Sequence, residues 1–248
     1  LLLRMQGIDK AFGGVPALTG ASLEVRAGEV MALIGQNGAG KSTMIKILTG
    51  AYQKDAGSIR FDGREATFAS PQAAQGHGIA TIYQEINLVP YRSVTESIFL
   101  GRELRRWGLL DWPRMHREAV QTLRRFAVEL DVRRPVMSFS TAIQQMVAIA
   151  RAVSFDAQLV IMDEPTSSLD EREVEVLMGV IRQLRDEGRG ILFVSHYLDE
   201  LYAVCDRVTV MRDGRTVRVT PLAEVGKLEN VGRMVDLLLA RAERRSGA

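Results

Sequence analysis

Short apolar runs alternate along this chain with stretches in which apolar positions recur every three or four residues. The runs read as strands buried on both faces and the periodic stretches as amphipathic helices, an alternation that predicts an α/β domain with a largely parallel sheet. The strand candidates are Val30–Ile34, Ile79–Tyr83, Leu159–Met162 and Ile191–Val194. Val208–Met211 and Thr216–Val219 flank an Asp213-Gly214 turn and read as a hairpin. Ala21–Val25 and Glu29–Ile34 bracket another turn at Ala27-Gly28, so the parallel core is expected to carry an antiparallel margin.

The helical text is as plain. Thr43–Gly50 reads as a helix closed by glycine. Glu171–Arg185 places Val174, Leu177, Ile181 and Leu184 on one face behind a capping Asp170. Leu228–Arg245 does the same with Val231, Val235, Leu238 and Ala242 and ends in a solvated basic tail. Between Glu85 and Phe155 strand signals vanish, and Met115–Leu130 lines up Val120, Leu123, Ala127 and Leu130. This predicts a helical insert, about residues 86–155, inside a single domain spanning 1–248. Trp107, Trp112 and Pro113 fall in an irregular stretch of it, where the tryptophans read as packing residues.

Composition narrows the class. The 248 residues suffice for one large domain, and 46% apolar with 25% charged residues is an ordered, globular balance. Formal charge is 32 − 30 = +2, which supplies no basic field for nucleic acid. One cysteine, Cys205, excludes an internal disulfide and fits a reducing compartment, and three histidines leave little material for zinc. No apolar run approaches the roughly 20 residues that span a bilayer. The opening LLLRMQGIDKAF has neither the apolar core nor the cleavage site of a signal peptide. Any work at a membrane is expected to go through a partner.

The strongest chemical signal is Gly35-Gln36-Asn37-Gly38-Ala39-Gly40-Lys41-Ser42-Thr43, a complete G-x-x-x-x-G-K-[ST] between a strand and a helix. Its glycines let successive N–H groups converge on phosphate oxygens, and the helix N-terminus adds a favourable potential. Lys41 is expected to reach the β- and γ-phosphates and Ser42 to hold Mg²⁺. The strand Leu159–Met162 ends in Asp163-Glu164, a costly pair unless it meets a metal, a donor or a reacting water. Asp163 is assigned to the metal through water, and Glu164 to the attacking water. Gln84, after Ile79–Tyr83, can sense the γ-phosphate or its metal. His196, after Ile191–Ser195, can hydrogen-bond the γ-phosphate, whereas His77 and His116 read as solvent-facing. Phe12 either stacks on adenine or simply packs.

Taken together, the pattern resembles the ATPase subunit of an ATP-binding-cassette transporter, over nearly the whole chain from Phe12 to about Gly214. In that resemblance Gly35–Thr43 is the Walker A loop, Gln84 the Q-loop glutamine, and Leu159–Asp163 the Walker B strand. Glu164 is then the catalytic glutamate, Ser167-Ser168-Leu169-Asp170 the D-loop and His196 the switch histidine. The resemblance implies a P-loop NTPase core with ATP and Mg²⁺ bound. It further implies head-to-tail pairing of two cassettes, each completing the other's site with a signature sequence. Transmembrane permease subunits would dock a coupling helix near Gln84–Tyr91.

The signature departs from the usual Leu-Ser-Gly-Gly-Gln, reading Phe139-Ser140-Thr141-Ala142-Ile143-Gln144-Gln145. Ser140 keeps its hydroxyl for the partner's γ-phosphate, whereas Ala142 adds a methyl where backbone approaches phosphate. Weaker hydrolysis with retained ATP binding is expected. Phrases such as Gln84–Pro90, Gln144–Ala152 and Met162–Ser167 resemble the first cassette of bacterial monosaccharide importers. That implies a peripheral protein on the cytoplasmic face of the inner membrane, served indirectly by a periplasmic sugar-binding protein. The second cassette would be a tandem one or a second copy of this chain. Two other readings compete: an ATP-binding regulatory module with weak turnover, and a soluble cassette acting in translation or DNA repair. The last usually carries a charged inter-cassette linker or a long coiled-coil insert, and neither is present here.

Overall fold

A computed structural model describes residues 1–83, 88–225, 232 and 234–236. The chain opens with β1 (Leu3–Phe12) and β2 (Val15–Val25), crosses to β3 (Val30–Gly35) and α1 (Lys41–Leu48), and continues through β4 (Ala56–Phe61) and β5 (Arg64–Glu65). α2 (Pro71–Gly76) leads to β6 (Ile79–Ile82). Then come α3 (Val94–Phe99), a hairpin of β7 (Arg105–Arg106) and β8 (Leu109–Leu110), α4 (Trp112–Arg125) and α5 (Thr141–Ser154). β9 (Leu159–Asp163), α6 (Glu171–Asp186), β10 (Gly190–Val194), α7 (Leu198–Val204), β11 (Arg207–Arg212) and β12 (Arg215–Pro221) follow.

Two sheets share the work. The larger has the order β12-β11-β3-β10-β9-β6, every neighbouring pair parallel except the β11–β12 hairpin at its edge. The smaller, β2-β1-β4-β5, is antiparallel. The central strands read as unbroken apolar runs because both their faces are covered. On β3, Val30, Ala32 and Ile34 face the helices of one core, while Met31 and Leu33 face a second core shared with α1 and the antiparallel sheet. On β10, Ile191 and Phe193 against Leu192 and Val194 divide in the same way. The period of two, written in a continuous apolar run, thus holds two layers together.

Several expectations meet the structure closely. The β11–β12 turn has φ of 48° at Asp213 and 72° at Gly214, the left-handed pair that a two-residue hairpin demands. Asp170 caps α6, and Glu173 returns the bond to the Asp170 N–H, a full capping box. Others need correction. Ala21–Val25 and Glu29–Ile34 do flank a turn, but β2 joins the antiparallel sheet and β3 the parallel one, so they do not pair. β1, β4 and β5, which complete the smaller sheet, are not among the strands that the sequence pattern marks. The helix foreseen over Met115–Leu130 runs instead from Trp112 to Arg125; Ala127 follows at φ 56° and is exposed, and the buried stripe is Met115, Ala119 and Leu123. Proline at the start and a capping Asp111 move that helix forward. His116 is half-buried, its Nδ1 2.8 Å from the Thr95 hydroxyl, rather than solvent-facing. Trp107 does not pack: it is 90% exposed. Of the helix foreseen over Leu228–Arg245, all but residues 232 and 234–236 lie outside the described residues. Among the described residues no helix is long and apolar enough to cross a membrane.

Candidate functional site

In the parallel sheet the strands β3, β10, β9 and β6 are neighbours in that order. Their C-terminal ends therefore present four consecutive loops along one edge, the position where open α/β sheets place ligands. The loop after β3 is Gly35–Gly40; those after β10 and β9 carry His196 and Glu164. Gln84 follows β6, and residues 84–87 lie outside the described residues.

The first loop wraps tightly because its glycines allow it. A Cβ at Gly35 would stand 2.4 Å from the Met211 carbonyl oxygen, and one at Gly40 (φ 100°) 2.6 Å from Leu18 Cδ2. The Gly214 N–H donates to the Ala39 carbonyl (3.2 Å) and ties the loop to the β11–β12 turn. Gln36, Asn37 and Gly38 stay exposed, and the backbone enters α1 at Gly40 with no side-chain cap, leaving first-turn N–H groups for a ligand. Lys41 Nζ donates to the carbonyls of Gly35 (2.7 Å) and Gln36 (3.2 Å), which anchors the ammonium at the loop. Burial lowers its pKa, and the nearby charges of Glu164 and Asp163 pull it back up. Ser42 is exposed on the first helical turn, beside Thr43.

Opposite stands the acidic end of β9. Burial raises the Asp163 carboxyl above the ordinary carboxylate range and repulsion from Glu164 adds to the rise, while Lys41 and His196 oppose it. Glu164 sits at φ 49°, a left-handed conformation that costs a non-glycine residue about 1–3 kcal/mol. Its N–H donates to the Val194 carbonyl (2.9 Å), which carries the β9 end onto β10. The strained turn turns its carboxylate to His196, with Oε1 2.6 Å from Nε2. Asp163 and Ser42 are oxygen donors of the kind that suits Mg²⁺, which takes one or two protein oxygens and fills the rest with phosphate and water. No described hydrogen bond occupies the Asp163 carboxylate, which fits such a role.

A brace behind His196 was not anticipated. The Ser195 hydroxyl donates to the buried Glu200 carboxylate and accepts from the Tyr197 N–H (3.0 Å), so the turn bearing His196 is pinned to α7. The signal in the sequence was a serine before the histidine and a glutamate four residues after it. A cavity of about 420 Å³ lies between Gly35, Gln36, Asn37, His196, Gly232 and Val235.

Two further expected residues stand apart. Phe12 ends β1 43% exposed, its ring edge-on to Tyr52 with centroids 5.1 Å apart, so it packs on one side and stays open on another. Ser140 caps α5, its Oγ accepting from the Ile143 N–H at 3.4 Å, and Ala142 lies buried in the first turn. Ser140 thus stands at the start of α5, outside the loops that follow β3, β10, β9 and β6.

The comparisons agree with this geometry. Residues 18–167 match the ABC transporter family. Over 236 residues the chain is 49% identical to a protein of Burkholderia cenocepacia (strain HI2424) named as a ribose/galactose/methyl galactoside import ATP-binding protein, covering 94% of this chain and 46% of that one. It is 46% identical over 234 residues to the galactofuranose transporter ATP-binding protein YtfR of Escherichia coli (strain K12), covering 94% and 47%. The chain thus spans about half the length of these relatives. Among solved structures, cbiO1 from Clostridium perfringens, part of the ABC transporter complex cbiONQ, superposes with a TM-score of 0.79 at 26% identity over 100% of this chain and 99% of that one. An ATP-binding cassette of an ABC transporter in its ADP conformation superposes at 0.82 with 24% identity over 98% of each, which bears on the fold. With the P-loop, the acidic strand end and the histidine turn ranged along one sheet edge, the chain belongs to the ABC transporter family as an ATP-binding cassette.

Proposed function

We propose that the chain binds ATP with Mg²⁺ on the Gly35–Thr43 loop and hydrolyses it at a site completed by the signature of a second cassette, powering monosaccharide import. The observation that carries this is the 2.6 Å Glu164–His196 pair, held beside the P-loop by adjacent parallel strands. The Gly35–Thr43 amides and Lys41 cradle the phosphates, and the Phe12 ring is offered to the adenine. Glu164 orients and accepts a proton from the attacking water, and with ATP bound the His196 Nε2–H that meets Glu164 here is shared with the γ-phosphate. Ser42, Asp163 and Gln84 would hold Mg²⁺, which supplies charge neutralisation on the transferring phosphoryl group.

The second cassette, a second copy of this chain or a tandem one, lends Ser140 and the α5 N-terminus to the γ-phosphate. Ser140 stands at the N-terminus of α5 and not on one of this chain's own strand-end loops, which supports a site shared between two cassettes. The permease is assigned to the groove between β6 and the helices, a cavity of about 440 Å³ lined by Thr81, Tyr83, Leu88, Leu100, Arg151 and Phe155. The helices α3–α5, within about residues 86–155, form the subdomain on its far side. The sugar and the cytoplasmic face of the bacterial inner membrane rest on the importer names of the relatives. A periplasmic sugar-binding protein is the indirect partner, and nucleic acid is not one. Vesicles carrying the chain with its permease are expected to take up a labelled monosaccharide only with ATP, and Lys41→Ala is expected to abolish uptake. Uptake that ignores ATP, or ATP turnover that no permease and no sugar alters, would overturn the reading.

A further inference from the structure

Trp107 is the most exposed large hydrophobic residue among the described residues, at 90%, and it shares a hairpin tip with Leu109 (77%) and Leu110 (40%). Neither folding nor turn chemistry accounts for it. The two-residue turn Trp107-Gly108 has φ of 52° and 83°, a conformation that favours asparagine or glycine and penalises tryptophan. The tip is nevertheless presented firmly. Leu104 packs on the core, and the Asp111 N–H closes the hairpin base on the Leu104 carbonyl at 2.8 Å. Arg106 stacks on the indole, guanidinium carbon to ring centroid 4.7 Å, and Arg105 is exposed beside it.

The hairpin also continues a surface already described. Leu100, Gly101 and Arg102 wall a cavity of about 670 Å³ that shares Gln72, Gln75, Leu100, Arg151 and Phe155 with the groove. Arg102 lies over the Phe155 ring at 3.9 Å, and β7 starts three residues later. The chain thus leaves the groove wall at Arg102 and enters, within three residues, a hairpin whose tip pairs an exposed tryptophan with arginine. Tryptophan and arginine together are the residues that most often anchor protein interfaces.

We infer that the β7–β8 hairpin is a second grip on the membrane subunit that docks in the groove, with Trp107 entering an apolar pocket rimmed by carboxylates on that subunit's cytoplasmic surface. This rests on the groove being the permease-docking site. The start of the hairpin three residues beyond Arg102, on the wall shared with the groove, favours a polypeptide over a lipid surface, which a Trp-Leu-Arg tip could also meet.

The test uses the full chain with the integral membrane subunit that it retains from detergent-solubilised membranes, reconstituted in nanodiscs. In a Trp112→Phe background, Trp107 is the sole tryptophan, and its emission is expected to shift to the blue on assembly. Trp107→Ala and Arg106→Glu are expected to weaken assembly at least about tenfold, with ATP binding and melting temperature of the isolated chain unchanged because both side chains are exposed. Assembly of both variants at wild-type affinity would overturn the inference while leaving the docking groove intact. A blue shift with anionic phosphatidylglycerol vesicles alone would overturn it in favour of a lipid contact. Failure of the unmodified chain to retain any integral membrane subunit would instead overturn the docking reading, and the grip with it.

Discussion

Asp163 shows what the site costs the fold. Its burial raises the carboxyl above the ordinary carboxylate range, so the folded chain holds that proton more tightly than the unfolded one. Stability from this group is therefore present at low pH and declines as pH rises from the ordinary carboxylate range through the raised value. Above that window the penalty is complete. Asp163→Asn is expected to raise the melting temperature at neutral pH, to lose that advantage below about pH 4, and to weaken Mg²⁺-dependent ATP binding. Paired thermal melts at both pH values check it; a variant less stable at neutral pH would count against the burial argument. Glu200 makes a complementary case. It touches no reacting atom but holds Ser195 and hence the His196 turn. Glu200→Ala should lower stability by about 1–3 kcal/mol by leaving a buried hydroxyl without its acceptor. It should also cut turnover about tenfold with ATP affinity retained; Glu200→Gln, which can still accept, should recover most of the loss.

At the scale of elements, the α5 N-terminus joins a structural role to the one proposed for it at a second cassette's site. Ser140 caps the helix, and Ala142 is buried in its first turn. Ala142→Gly should cost the helix up to about 1 kcal/mol and raise turnover severalfold at saturating ATP by letting the partner's phosphate come closer. A variant no faster than the parent would contradict the steric account. The same elements show why part of the fold was legible in the sequence. The four central strands are continuous apolar runs, and α6 carries its own capping box, so local chemistry and tertiary placement agree. β1 was illegible because its burial alternates and is interrupted by bulges between Met5 and Ala11, so no clean period of two survives. The end of α4 was misplaced because Ala127 continues the apolar spacing although the chain has already turned left-handed there. Walker A and the Asp163-Glu164 pair were legible as motifs, since their spacing encodes the loop itself. The Glu164–His196 pair was not, because strand order and not sequence distance brings residues 164 and 196 together. Trp107 misled for a general reason: a tryptophan's size argues for burial unless a partner takes the place of the core.

For the whole molecule, the central claim is that two cassettes complete each other's sites. Within this chain the P-loop, Glu164 and His196 share one sheet edge, while Ser140 belongs to the helical side. The chain spans about half the length of the curated relatives it matches, and a measurement on the chain alone supplies a second copy as the partner. The most direct measurement is steady-state ATPase rate per chain against protein concentration, with Mg²⁺ and saturating ATP, beside a Glu164→Gln control. The account predicts a rate per chain that climbs with concentration and falls at least about a hundredfold in the control, with ATP binding preserved in both. A rate per chain that is flat and near background while ATP binds tightly, or one that Glu164→Gln leaves unchanged, would contradict it.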